Sequence, residues 1–221
     1  MQTNTNKTTV TITLAALFSA LAFLVSVLFH LPIIPAVSFL KYDPMDAVLT
    51  LEALVLGPVP AILSTLVVTV IRIPFGSSGL IGALMNFLSS VSFVLPAGVI
   101  YKYKKTLSGA LIGLGCSILS ETVVMMLWNY LITPLYMGVG RDVVVSLMLP
   151  GFLPFNLIKA LANAAITFLL YKPMMTVLRK ANLIPKGSMT ASNRTLPLVL
   201  NISAGILLAI GIVSLFIFKI I

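Results

Sequence analysis

The residues of this chain best suited to hold a ligand lie in oily surroundings. In Pro154-Phe155-Asn156-Leu157-Ile158-Lys159 an amide and an ammonium stand three positions apart, so a helix places both on one face. Lys159 falls about a third of the way into an apolar stretch, where a lone ammonium is costly unless it snorkels outward or finds partners. Three further groups break apolar runs. Lys41-Tyr42-Asp43, with Asp46 and Glu52, reads either as a binding edge or as an interfacial ion pair plus an acid at a helix N-terminus. Asn86 stands near Gly76-Ser77-Ser78-Gly79 and Gly82, small residues that suit either close helix contact or close ligand approach. Glu121 and Trp128, seven apart, share a helical face, and Asn129 lies about 80° from Glu121. Trp128 and Tyr130 read as interface-belt aromatics or as a stacking surface for a flat ligand.

This is binding chemistry, without the parts of a reaction centre. The single histidine, His30, leaves no metal cluster and no Ser-His-Asp arrangement. The single cysteine, Cys116, excludes an intrachain disulfide. A phosphate-cradling glycine loop followed by Lys-Ser/Thr is missing, so this chain is not an ATP-driven pump on its own. No catalytic residue, no metal and no cofactor is expected.

The elements that must position these groups are membrane helices. Of the 221 residues 59% are apolar and 9% charged, against about 25% charged in a soluble domain, and mean hydropathy is +1.14. Runs such as 10–31, 80–101 and 196–218 are long enough to cross about 30 Å of hydrocarbon, and they are apolar all round, which favours helices over a barrel. Breaks at 32–44, 57–60, 74–79, 102–105, 134–150 and 172–197 predict seven helices near 10–30, 45–57, 60–73, 80–101, 107–133, 151–179 and 195–219. Gly57-Pro58-Val59-Pro60 is read as the turn of a hairpin, because two prolines are expensive inside a continuous helix. The net charge of +9 comes from lysines and arginines at the ends of apolar runs, which read as topology signals and lipid-headgroup contacts and not as a nucleic-acid surface. The positive-inside rule then puts the N-terminus in the cytoplasm, and the C-terminus outside if the seventh helix spans. Connections 30–44, 73–80 and 134–150 gather on the outer face as candidate lids.

Ala16 and Ala20 four apart in the first helix, Phe39-Leu40-Lys41-Tyr42-Asp43, and Pro154-Phe155-Asn156-Leu157-Ile158-Lys159, in this order, resemble the substrate-binding S components of energy-coupling factor transporters, and among them the riboflavin-specific group. The resemblance covers about residues 8–182. It implies an all-α membrane bundle of six helices over 1–182, with a polar linker at 183–194 and an extra helix in 195–221 that six-helix relatives do not need. It also implies capture of riboflavin, as cargo, near the outer face. A transmembrane coupling protein and two cytoplasmic ATPases would then drive uptake as the whole S component topples in the bilayer. By the same resemblance Asn156 and Lys159 hold the vitamin, with Asn129, Asn86, Gly79, Leu40 and Tyr42 as further contacts, while Ala16 and Ala20 give the coupling protein a smooth docking face. Two other readings stand beside it: an S component for another vitamin or small aromatic metabolite, and a small membrane enzyme or assembly factor acting on lipid.

Overall fold

The computed structural model describes residues 2–75 and 79–183. Helices α1 (Gln2–Leu28), α2 (Met45–Leu56), α3 (Pro58–Arg72), α4 (Gly79–Tyr103), α5 (Leu107–Met137), α6 (Arg141–Leu147) and α7 (Leu153–Lys180) run in this order. Strands β1 (Leu31–Pro32) and β2 (Lys41–Tyr42) pair antiparallel between α1 and α2, with Leu31 opposite Tyr42. Among the described residues five stretches are long and apolar enough to cross a membrane, at 8–28, 58–75, 79–103, 107–137 and 141–180. Helix α2, with 12 residues and about 18 Å of length, is too short to do so alone. Instead, every residue from Met45 to Leu54 is buried, so α2 is the central post around which the longer helices pack. The expected linker at 183–194, except for Leu183, and the expected helix at 195–219 lie outside the described residues, as do Gly76, Ser77 and Ser78.

The hairpin between α2 and α3 forms as the sequence suggests, and glycine alone makes the turn. Gly57 takes φ 97°, and its N–H caps α2 by donating to the Ala53 carbonyl at 3.0 Å. Pro58 and Pro60 then fall in the first turn of α3, where a missing N–H would have had no partner anyway. Helix α5 starts at a Thr106 cap, whose hydroxyl accepts from the Gly109 N–H at 3.1 Å. Small residues let α4 lie close to its neighbours. A Cβ added to Gly98 would meet that of Ala53 at 3.0 Å, and one on Gly113 would meet the Ala97 backbone at 3.1 Å.

The expectation of a connection at 134–150 is corrected. Helix α5 continues through Pro134 to Met137 and stops where Gly138 adopts the left-handed conformation. Helix α6 follows, and a π-helical turn at Met148–Phe152 feeds directly into α7. Glycine and proline density suggested a loop, but Val144 and Phe152 are fully buried against Val37, and this packing outweighs local propensity.

Helix direction alternates, so one end of the bundle collects 29–44, 73–75, Gly79 and 138–152. The opposite end carries Gly57, the Lys104–Thr106 turn and the last turn of α7 with Arg179 and Lys180.

Candidate functional site

Four helices deliver polar side chains to one buried point. Helix α7 carries Lys159, 7% exposed, and its ammonium lies 2.8 Å from Asp46 Oδ2 of α2 and 2.9 Å from Glu121 Oε1 of α5. It also donates to Ser89 Oγ of α4 at 2.6 Å. Snorkelling is therefore overturned: the charge is held inside the bundle by opposite charges. Asp46 also exceeds the role of an N-terminal acid, since it accepts from the Ser90 hydroxyl and, at 3.4 Å, from Asn163 Nδ2. Ser89 Oγ donates to Glu121 Oε1 at 2.7 Å, while Glu121 Oε2 has no hydrogen-bond partner among the described residues.

Lys159 and Ser89 form part of the wall of a cleft at the end of the bundle that carries β1 and β2. About 1130 Å³ of space lies within it, part of it open to solvent. Leu40, Gly79, Asn86, Asn129 and Asn156 line it too, so six of the seven expected binding residues converge there. Tyr42 is the exception. It is not part of the wall, and its hydroxyl donates instead to Asn163 Oδ1 at 3.3 Å. Burial, and then the neighbouring Asp43 charge, push the Tyr42 phenol above its ordinary value, which keeps it a neutral donor.

The two amides on the wall are oriented by their own helices. Asn156 Nδ2 donates to the Phe152 carbonyl at 2.8 Å, and Asn129 Nδ2 to the Met125 carbonyl at 2.7 Å, while Asn129 Oδ1 accepts from Thr133. Each amide group keeps its second N–H, and Asn156 its carbonyl oxygen, for another partner. At the mouth, Arg72 pairs with Asp43 at 3.0 Å. Burial raises the Asp43 carboxyl from its ordinary range, and the Arg72 guanidinium pulls it back.

Of the two readings of Trp128 and Tyr130, the stacking surface for a ligand is overturned. Trp128 and Tyr130 are not on the cleft wall, and the Arg141 guanidinium lies over the Tyr130 ring at 5.6 Å. Flat surfaces come instead from Phe39, Tyr136 and Phe155, with the Phe39 and Tyr136 rings 6.1 Å apart. Glu52 is also elsewhere, accepting from Ser64 at 2.7 Å between α2 and α3. Sequence reasoning missed Ser89. The signal was there in Ser89-Ser90-Val91-Ser92, a hydroxyl cluster within an apolar helix. Ala16 and Ala20 are exposed on α1, on the side that also presents Ile12, Leu17, Leu21 and Leu24.

The sequence pattern of the ECF transporter substrate-specific component matches residues 10–171. The riboflavin transporter RibU of Staphylococcus aureus (strain TCH60) is 30% identical over 182 residues, which span 79% of this chain and 94% of that protein. The riboflavin transporter FmnP of Bacillus subtilis (strain 168) is 26% identical over 76% of this chain and 95% of its own length. Among solved structures, one described under "Structure and mechanism of the S component of a bacterial ECF transporter" superposes with a TM-score of 0.66 at 28% identity, over 76% of this chain and 97% of that one.

Proposed function

The chain belongs to the substrate-specific components of ECF transporters, and from that premise we propose that it captures riboflavin at the outer face of the membrane for ATP-driven uptake. A transporter subunit, not an enzyme, is what this family comprises. The observation that carries the reading is the cleft itself: Phe39, Tyr136 and Phe155 offer flat apolar surface beside Asn129, Asn156 and Lys159. An isoalloxazine ring needs both, since its faces are apolar and its edge carries carbonyls and ring nitrogens that accept from amide and ammonium donors.

Orientation follows from charge. Lys102, Lys104, Lys105, Lys172, Arg179 and Lys180 lie toward the end away from the cleft, and the positive-inside rule assigns that end, with the N-terminus, to the cytoplasm. The cleft then opens outward. Counting buried α2 with the five longer spans gives the six-helix S component unit, and the helix expected at 195–219 would bring the C-terminus outside. Energy for uptake comes from the partners that the family resemblance implies, a transmembrane coupling protein and two cytoplasmic ATPases, docked in part on Ala16 and Ala20. Those exposed small residues permit close approach of another helix.

Titrating purified protein with riboflavin and following quenching of flavin fluorescence tests the reading. Saturable binding at one site per chain is expected, together with loss of affinity in Asn156→Leu. A protein that binds no riboflavin, or that binds another vitamin far more tightly, would overturn it.

A further inference from the structure

An ammonium has three N–H donors, and in Lys159 the protein takes all three: Asp46 Oδ2 at 2.8 Å, Glu121 Oε1 at 2.9 Å and Ser89 Oγ at 2.6 Å. A ligand oxygen that accepts from Lys159 must displace one of them. The three are not equivalent. Asp46 and Glu121 are 1% and 0% exposed and lie behind the wall, so taking the ammonium from either leaves a buried carboxylate short of its countercharge. Ser89 is neutral, faces the cleft, and already spends its own proton on Glu121 Oε1. Losing the Lys159 donor costs it an accepted hydrogen bond and no charge balance.

We propose that Ser89 is the exchangeable partner of Lys159, a hydroxyl that competes with a ligand carbonyl for the third ammonium proton and so sets the affinity of the site. The inference rests on the riboflavin reading above and adds an affinity-determining residue that acts against binding. Asp46 and Glu121 fix where the ammonium sits. Ser89 sets what a ligand must offer to win it: an oxygen acceptor that reaches the wall between α4 and α7. A ligand presenting only donors or apolar surface at that point gains nothing from Lys159.

A residue that simply contacted the ligand would weaken binding when truncated; a competitor does the opposite. In the full-length protein, Ser89→Ala is expected to bind riboflavin about three- to tenfold more tightly, since a bond to a charged group is at stake and cleft water takes up part of the difference. Ser89→Thr, which restores the hydroxyl, should return affinity to the wild-type value. Ser89→Cys, a weaker acceptor, should move in the same direction as alanine by a smaller amount and serves if the alanine variant does not fold. The visible absorption of bound flavin, which responds to hydrogen bonding at its carbonyls, should shift further in Ser89→Ala than in wild type. Equal or weaker riboflavin binding by the alanine and cysteine variants, with a wild-type protein that binds normally, overturns the role of Ser89 alone. A wild-type protein that does not bind riboflavin overturns this inference and the function it rests on together.

Discussion

Lys159 and Asp46 meet at 2.8 Å between α7 and α2, joining a residue of the cleft wall to the buried central helix of the bundle. The pair is worth more as architecture than as attraction. Desolvating two ions offsets much of their mutual gain, yet removing either one strands the other inside the protein. Glu121 on α5 closes the same knot at 2.9 Å, so one ammonium ties three helices at the level of the cleft.

Lys159→Ala should therefore fail twice. Riboflavin affinity should drop at least a hundredfold, and stability should fall by roughly 3–5 kcal/mol because two carboxylates lose their countercharge. Lys180→Ala, at the exposed end of α7, should change neither. Fluorescence titration and thermal unfolding in detergent separate the two effects. A Lys159→Ala protein of wild-type affinity would remove the lysine from the site.

How much of this was legible in the sequence follows from where the forces act. Lys159 stood out because a charge in an apolar helix needs a reason, and Gly57-Pro58-Val59-Pro60 announced a turn through backbone chemistry that acts locally. The pairing of Lys159 with Asp46 and Glu121 could not be read, because each partner is set by how separate helices cross. Type and spacing leave Trp128 open between an interface-belt aromatic and a stacking surface, because which face of α5 meets the cleft depends on its neighbours. Helix α6 was hidden for the same reason: Gly138, Gly140 and Pro150 signal a loop, and the burial of Val144 against Val37 and Phe152 decides otherwise.

That packing leads to a test at Gly151. A Cβ there would sit 2.7 Å from Val37 Cγ1, and Val37 is fully buried and stiff at χ1. Gly151→Ala should cost about 1–3 kcal/mol through overpacking. Adding Val37→Ala should recover part of the loss, because the smaller side chain vacates the point of collision. Unfolding midpoints of the two single variants and the double variant give the coupling directly, and strict additivity would count against the contact.

At the opposite end, Tyr101 and Tyr171 share a hydrogen bond of 2.7 Å between buried hydroxyls, with their rings edge to face at 5.8 Å. Tyr171→Phe keeps the ring contact and leaves the Tyr101 hydroxyl short of this partner. A loss of about 1 kcal/mol in stability is expected, with riboflavin affinity unchanged because neither tyrosine lines the cleft. A change in affinity would mean that the two ends of the bundle are coupled.

The last prediction concerns energy coupling and uses the outer surface of α1. Ala16 and Ala20 are exposed there, flanked by Leu17, Leu21 and Leu24, all about half exposed or more. Lipid alone accepts leucine at every such position, so two alanines four apart are better explained by a helix that must come close. Replacing both by tryptophan adds bulk to a face that is exposed among the described residues, and riboflavin binding by the purified protein should stay within about twofold of wild type. Uptake by cells that express the coupling module should nevertheless collapse, and the coupling protein should no longer co-purify. If uptake survives the two tryptophans, this face of α1 meets lipid only and the docking surface lies elsewhere on the bundle.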